Sequence, residues 1–253
     1  MTGFAYQLYS SRNFLPLEST LAMLSEAGYT AVEGYGALVA DEDRVAALEL
    51  ALAKSNLSMP TCHVGLDQIQ TDPTGVISFA EQLGIKTIIA PYLPPEDRPL
   101  DSDGWRTFAK ELADASRPLV DAGLTFGWHN HDFEFETLQT GEHILDLLLG
   151  GGDHVMFEFD VAWAVRAGQE PQFWIDRYGG RLCAAHIKDI AREGEAANED
   201  GWADVGYGTV DWKTLLAALK DKGVSSFIVE HDNPSDDRRF ATRSIETLRA
   251  FDA

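Results

Sequence analysis

The sequence predicts an α/β fold, a single-domain (βα)8 TIM barrel over residues 1–253. Short apolar runs alternate with longer segments of helical period, and this alternation continues along the whole chain. Eight apolar runs occur, and repeated strand–helix units of this kind build a barrel of parallel strands. No linker, low-complexity stretch or change of composition divides the chain, so we expect one domain.

The strands are predicted from the apolar runs, taken in chain order. They are expected at 4–10, 31–36, 58–66, 86–93, 124–131, 155–163, 181–189 and 225–232. Amphipathic segments between them predict helices, and several end in Gly, which suits the left-handed cap of a helix. These segments include 16–28, 41–56, 105–123, 142–152, 171–180 and 211–223.

A doubly wound open sheet has the same alternation and is the alternative fold. It usually carries a glycine-rich phosphate turn after its first strand, but here "YSSRNFLP" follows the first strand. The barrel is therefore favoured. One long loop is expected over residues 192–210, and loops of that length are often functional.

The composition argues against nucleic acid and membrane partners. The chain has 41 acidic and 20 basic residues, with a formal net charge of −21, which repels phosphate backbones and anionic lipids. The two cysteines, Cys62 and Cys183, lie in apolar runs and are expected to be free thiols. Without a signal-like start or an apolar stretch of membrane length, the sequence predicts a soluble cytoplasmic protein.

Ionisable side chains lie near the carboxyl ends of the predicted strands, where a barrel places its active site. They are Glu33, His63, His129, His131, Glu158, Asp160, His186, Lys188, Glu230 and Asp232. Because side chains alternate along a strand, His129 and His131 share one face and Asn130 points away. Any one of these residues could be a loop anchor, but their repetition at one end of six strands favours a site.

A charged side chain inside a barrel costs several kcal/mol unless it is paired or binds a metal. An Asp, two His and a Glu offer nitrogen and oxygen ligands to a divalent ion such as Mn²⁺, Co²⁺, Fe²⁺ or Zn²⁺. The set contains no thiolate, which disfavours a structural zinc site.

The chain resembles the xylose isomerase-like TIM barrels, in particular the sugar phosphate isomerase/epimerase group. The motifs "GYTAVEGYG", "GWHNHDFEFE", "FEFDVAWAVRAG", "AAHIKD", "VGYGTVDW" and "IVEHD" occur in the order of that family. The resemblance implies one divalent metal ion, with Mn²⁺ preferred and Co, Mg, Fe or Zn as alternatives. Its ligands would be Asp160, His186 and Glu230, together with His129, which stands where the family has a Glu.

The resemblance also implies roles in the reaction. Two metal-bound carboxylates in the family's epimerases move a proton next to a carbonyl through an enediolate. With His129 in place of one carboxylate, Glu230 remains as one base, and the second proton carrier would be His131, Glu158 or Glu134. Substrate contacts are expected from Glu33, His63, Lys188 and Trp163. Tyr207 stands where the family often has a Glu.

Several functions remain open from the sequence. A metal-dependent isomerase or epimerase of a sugar is favoured, and a dehydratase or lyase acting on a keto-polyol or keto-sugar is the alternative. A barrel that binds a sugar or metal without turnover, or that is a subunit of a larger enzyme, is a further alternative. A DNA-cutting member of the superfamily is disfavoured by the acidic charge. We expect a small, unphosphorylated sugar or polyol substrate, and a homo-oligomer is left open.

Overall fold

The fold is a closed barrel of eight parallel strands, seen in a computed structural model that describes residues 3–251. The barrel strands are β1 Phe4–Gln7, β2 Ala31–Tyr35, β3 Ser58–His63, β4 Thr87–Ala90, β5 Thr125–His129, β6 Val155–Asp160, β7 Leu182–Ile187 and β10 Phe227–Val229. Neighbours in the chain are neighbours in the barrel, and β10 closes it by pairing with β1 and β7. The predicted (βα)8 TIM barrel is confirmed.

Helices surround the barrel, and six of those in the described residues fall on the predicted amphipathic segments. They are α1 Leu17–Ala27, α2 Glu42–Ser55, α3 Leu66–Thr71, α4 Pro73–Leu83, α5 Ser102–Asp121, α6 Ile144–Leu149, α7 Val161–Arg166, α8 Pro171–Tyr178, α9 Trp212–Asp221 and α10 Asp237–Phe251. The Asp41 side chain caps α2 by accepting from the Arg44 amide, and left-handed Gly28 ends α1. Within residues 3–251, none of the helices combines the length and the apolar character needed to cross a membrane.

The strands end earlier than the sequence indicates. The run 155–163 was expected to be one strand, but β6 stops at Asp160 and α7 begins at Val161. The Asp160 carboxylate accepts the amide of Trp163 at 2.9 Å, so this residue caps the helix as it leaves the strand. An apolar sequence of this kind does not distinguish a buried strand from the first turn of a buried helix.

The barrel interior is apolar below the carboxyl ends of the strands. Ala5 and Ile228 pack there with Cys183. Gly127 faces the same layer, and a Cβ atom on it would lie 2.7 Å from Ile89 Cδ1, so only glycine leaves room for that side chain. We call Ala5, Ile89, Gly127, Cys183 and Ile228 the apolar layer. Both cysteines are free thiols, as predicted.

The long loop between β7 and α9 is ordered by hydrogen bonds to one carboxylate. Strand β8, Asp189–Ile190, pairs with β9, Trp202–Ala203, in an antiparallel arrangement. The carboxylate of Asp189 accepts the backbone amides of Gly206, Gly208 and Val210. The loop therefore lies against the mouth of the barrel in a defined conformation.

Candidate metal and substrate site

Four buried side chains converge at the carboxyl ends of β5, β6, β7 and β10. His129 and Asp160 are the last residues of β5 and β6, His186 lies in β7, and Glu230 directly follows β10. Each offers one ligand atom, and these atoms lie within 4.8 Å of one another. We call His129, Asp160, His186 and Glu230 the ligand group. The structure thus brings together the four residues that the sequence predicted as metal ligands.

A second group of possible ligands lies deeper and shares two histidines with the first. Glu158 Oε2 is 2.6 Å from His63 Nε2, 3.0 Å from His129 Nδ1 and 3.1 Å from His186 Nε2. The ligand atoms of these four residues also lie within 4.8 Å of one another. The position around Glu158 is therefore a competing location for a cation.

The imidazole of His186 has different partners on its two nitrogens. Nδ1 is 2.8 Å from Glu230 Oε2, within the ligand group, whereas Nε2 is 2.7 Å from Glu33 Oε2. Glu33 is fully buried, and Gln7 donates a hydrogen bond to the same oxygen at 2.7 Å. A carboxylate on the far nitrogen of a ligating histidine fixes the tautomer and the ring orientation. Glu33 would have this orienting position if His186 binds a metal, and it does not line the cavity.

Lys188 is fully buried beside three carboxylates. Its Nζ lies 2.8 Å from Asp232 Oδ1, 3.0 Å from Glu230 Oε2 and 3.4 Å from Asp160 Oδ2. Burial alone would lower the pKa of Lys188, but Asp232, Glu230 and Asp160 together raise that pKa above its ordinary value. The ammonium group is therefore charged and draws Asp160 and Glu230 toward it.

The pKa values of Glu230 and His131 both lie below their usual ranges. Burial would raise the pKa of Glu230, but Lys188 and His186 hold that pKa well below its usual range. Burial, His129 and Lys188 hold the pKa of His131 well below its usual range, and the His131 Nδ1 atom has no hydrogen-bond partner. At neutral pH the site therefore contains an ionised carboxylate and a neutral imidazole with an unoccupied nitrogen.

A cavity of about 540 Å³ opens above the ligand group. Of the residues predicted for the site, His63, His129, His131, Trp163, Glu230 and Asp232 line the cavity. The other predicted site residues lie behind this lining and are fully buried. They are Glu33, Glu158, Asp160, His186 and Lys188. The predicted site is therefore assembled in two layers, and only the outer layer meets the cavity.

Glu134 and Asn130 face away from the cavity. Both carboxylate oxygens of Glu134 accept hydrogen bonds, from the Trp128 indole at 3.0 Å and from the His131 amide at 2.8 Å. Asn130 bonds to the backbone N and O of Asp160, so it points away from its neighbours as strand alternation predicts. Neither side chain is placed to touch a substrate.

Trp163 and Tyr207 differ in their relation to the cavity. Trp163 lines it from α7, with its ring 5.2 Å from that of His131. Tyr207 is 54% exposed, lies outside the lining and has Arg243 over its ring at 4.9 Å. Trp163 thus lies in the cavity wall, in a helix rather than at the end of the predicted strand, and Tyr207 is not among the lining residues.

Sequence reasoning missed several residues of the cavity wall. Tyr9, Arg12, Tyr35, Tyr92 and Asp200 all line it. The three tyrosines lie one residue before the end of the predicted strands 4–10, 31–36 and 86–93, and that position was the available signal. Aromatic side chains at strand ends are also common in cores, so their type alone did not indicate a role.

The donor set fits a divalent transition metal. Two imidazoles and two carboxylates are suitable ligands for Mn²⁺, Co²⁺, Fe²⁺ or Zn²⁺, and none of the four is a thiolate. The fully buried Glu33 and Glu158 each keep one oxygen without a hydrogen-bond partner. Buried unpaired oxygens of this kind are rare in a self-sufficient polar network, and these two could accept a further hydrogen bond or a cation.

A TIM barrel with ionisable side chains gathered at the carboxyl ends of its strands is the class of protein that this chain represents. Residues 21–251 match the family described as xylose isomerase-like TIM barrel, and the chain belongs to this family. The resemblance predicted from the sequence motifs is confirmed. Among curated proteins, the sequence has no match.

Solved structures share the fold at low sequence identity. A sugar phosphate isomerase/epimerase from Parabacteroides distasonis ATCC 8503 has a TM-score of 0.82 at 22% identity, covering 98% of this chain and 94% of its own. The probable 3-DHS dehydratase AsbF, involved in petrobactin synthesis in Bacillus anthracis, has a TM-score of 0.75 at 12% identity, covering 98% of both chains. The IolI protein with a bound zinc atom has a TM-score of 0.74 at 17% identity, covering 99% of this chain and 98% of its own.

Proposed function

We propose that the protein is a divalent-metal-dependent isomerase or epimerase that moves a proton next to the carbonyl of a sugar or sugar derivative. The observation that carries this proposal is the convergence of His129, Asp160, His186 and Glu230 beneath an open cavity. Similarity to a sugar phosphate isomerase/epimerase and to a zinc-containing IolI protein supports the assignment.

The ligand group would hold the ion. A bound divalent ion supplies positive charge that stabilises a negatively charged substrate oxygen and so favours loss of the neighbouring proton. Glu33 holds the far nitrogen of His186, which orients that ring toward the ion. We retain Mn²⁺ as the preferred ion, with Co, Mg, Fe and Zn as the alternatives that the same donors accept.

Glu230 and His131 are the proton carriers in this proposal. Both line the cavity, one as an ionised carboxylate and the other as a neutral imidazole with a free Nδ1. A carboxylate and an imidazole can each take or return a proton at neutral pH. Glu158 is less suited to this role, because it lies outside the cavity wall with three histidines around one oxygen.

A dehydratase or lyase is the second candidate, and the neutral imidazole in the cavity wall favours it. The free Nδ1 of His131 could take the carbon-bound proton, and the imidazolium formed in that step could return the proton to the leaving hydroxyl, which departs as water. Similarity to a probable dehydratase agrees with this alternative. A barrel that binds its ligand without turnover is the third candidate.

Hydrogen exchange and metal content test the proposal together. We would incubate keto-sugars, inososes and sugar phosphates with the Mn²⁺-loaded protein in deuterated water and follow them by NMR. One carbon-bound hydrogen should exchange in a substrate, with a new epimer for isomerisation or an unsaturated product for elimination. Elemental analysis should give about one divalent ion per chain. Turnover of a substrate without any exchange would contradict both enzyme assignments.

The ligand at the end of β5 has its own test. His129→Glu restores the residue type that the family carries there, and it should keep about one ion per chain, whereas His129→Leu should lose it. Loss of the ion from both variants would show that position 129 does not take the place of the family's Glu. Circular dichroism and thermal unfolding would confirm that both variants are folded.

A further inference from the structure

The outer part of the cavity has aromatic walls that the reaction at the ligand group does not use. We propose that Tyr9, Tyr35, Tyr92 and Gly36 form an outer subsite that binds the second ring of an unphosphorylated glycoside. This inference rests on the proposed function, because the first ring would be the reacting sugar above the ligand group. The second ring would be another sugar or a flat aglycone.

The size of the cavity is the first argument. Its volume of about 540 Å³ lies within the range of about 300–1,000 Å³ that is typical of pockets for drug-sized ligands. A single sugar ring is much smaller than such a ligand. Space therefore remains beyond a monosaccharide seated against His129 and Glu230.

The arrangement of the walls is the second argument. Tyr9 and Tyr35 follow or end β1 and β2, whereas His131 and Trp163 follow β5 and β6. In a closed barrel of eight strands in chain order, β1 and β2 lie across the mouth from β5 and β6. Tyr92, after β4, meets His131 edge to face, with ring centroids 5.0 Å apart. Aromatic side chains thus stand on both sides of the mouth.

The tyrosine rings are held in place although they are exposed. Tyr9 and Tyr92 are 40% and 42% exposed. The ring of Tyr9 packs edge to face on that of Tyr35, with centroids 5.4 Å apart, and the Arg12 guanidinium lies 3.9 Å from the Tyr9 centroid. The Arg98 guanidinium lies 5.3 Å from the ring centroid of Tyr92. Exposed aromatic area that is already ordered binds an apolar ring face at little entropic cost.

The charges of the lining argue against a phosphate. Asp200, Glu230 and Asp232 place three carboxyl groups in the wall, and Arg12 is the one Arg or Lys among the lining residues. The Arg12 guanidinium already donates to the carbonyl oxygens of Tyr9 at 2.9 Å and of Asp232 at 2.6 Å. A phosphate dianion in this wall would face more carboxyl groups than guanidinium groups. A neutral second ring fits this environment better.

Binding measurements with defined probes test the outer subsite independently of turnover. The probes are glucose, methyl glucoside, phenyl glucoside, cellobiose and glucose 6-phosphate, each used as such and after oxidation to a ketone. Isothermal titration calorimetry on the metal-loaded protein should give phenyl glucoside and cellobiose a Kd about tenfold lower than methyl glucoside, the effect of about one aromatic contact. Glucose 6-phosphate should bind no tighter than glucose.

Three variants locate the effect. Tyr92→Ala should remove most of the tenfold preference for two rings and leave the Kd of glucose unchanged. Gly36→Leu should do the same by filling the subsite, because a Cβ atom on Gly36 begins in open space. Tyr207→Ala is the matched control, since this tyrosine is exposed but lies outside the cavity, and it should keep the preference.

The outcomes separate this inference from the proposed function. Equal affinity for one-ring and two-ring probes, no binding of any glycoside, or equal losses for glucose and cellobiose in Tyr92→Ala would overturn the outer subsite. Two-ring binding that depends on Tyr92, without hydrogen exchange in any ketone, would support the subsite and contradict the proposed function. Hydrogen exchange in monosaccharides alone would support the proposed function and contradict the outer subsite.

Discussion

The interior of the barrel has two regions of contrasting chemistry. The apolar layer of Ala5, Ile89, Gly127, Cys183 and Ile228 is filled by small or aliphatic side chains. The region above it, toward the carboxyl ends of the strands, holds fully buried Glu33, Glu158, Asp160, His186 and Lys188. Strand β7 supplies Cys183 to the first region and His186 to the second, so along this strand the change occurs within three residues.

The contrast shows that the upper region is not built for stability. Replacing buried ion pairs by apolar side chains of similar volume is often neutral or stabilising, so a barrel gains little by burying five ionisable groups. The apolar layer shows that this sequence can fill a barrel interior without charge. The ionisable region is therefore best explained by binding and chemistry, and substitutions in the two regions should have separable effects.

The largest effect is expected from Asp160→Asn, which keeps the size of the side chain and removes its charge. Loss of a residue that only hydrogen-bonds to a metal ligand typically lowers metal affinity by roughly 10–100-fold. Loss of a carboxylate ligand itself should lower the affinity by more than this, so the purified variant should contain almost no ion. Elemental analysis after dialysis measures this. Glu158→Gln is the comparison, because Glu158 anchors the deeper of the two cation positions.

The pair of variants also decides between the two positions. If the ion sits in the ligand group, Asp160→Asn loses it and Glu158→Gln retains at least part of it. Loss in Glu158→Gln with full retention in Asp160→Asn would place the ion deeper, among His63, His129 and His186, and would contradict the proposed ligand group.

A large effect of a different kind is expected from Ile89→Ala in the apolar layer. Removing a fully buried isoleucine side chain creates a cavity and should reduce the free energy of unfolding by about 2–5 kcal/mol. The metal content should stay at the wild-type level, since β4 contributes no residue to the ligand group. Urea unfolding and elemental analysis of the same sample test both statements. Loss of metal from the folded variant would show that the two regions are not separable.

The sequence predicted the barrel and the ligand group more completely than the two-layer arrangement of the site. Strand alternation places Glu158 and Asp160 on one face, but it does not show that Asp160 ends its strand and caps the helix that follows. Glu33 and Lys188 were expected to touch substrate, yet each is enclosed by side chains from other strands. Those contacts join residues far apart in the chain, and local patterning carries no information about them.

A moderate effect is expected from Glu33→Gln. The variant keeps an oxygen near His186 Nε2 but removes the negative charge that fixes this ring, so metal affinity should fall about 10–100-fold. A competition titration against a chromogenic chelator measures the affinity. Glu96→Gln, at an exposed glutamate, is the control and should bind as the wild type does. Unchanged affinity in Glu33→Gln would assign Glu33 to another task, such as the substrate contact predicted from the sequence.

The smallest effect at neutral pH is expected from Glu134→Gln, beside the site but outside the cavity. Burial raises the pKa of Glu134 from 4.5 to about 8. Because the pKa is higher in the folded state, the protonated form stabilises the fold below about pH 4.5, and this contribution is lost as the pH rises through 8. The amide removes this dependence, although it leaves one of two hydrogen-bond donors, Trp128 Nε1 or the His131 amide, without an acceptor.

Glu134→Gln loses a hydrogen-bond acceptor at every pH, and it gains stability relative to the wild type where the wild type must ionise Glu134. The difference in free energy of unfolding between the variant and the wild type should therefore change sign with pH. The variant should become more stable relative to the wild type as the pH rises from 5 to 9, as measured by urea unfolding at each pH. Glu136→Gln, an exposed glutamate two residues away, should show no such trend. Parallel stability curves for Glu134→Gln and the wild type would mean that Glu134 ionises without cost inside the fold. An ionised carboxylate beside the site would then destabilise the fold no more than the ionised carboxylates within the site do. The contrast between the apolar layer and the ionisable region would apply only to the barrel interior.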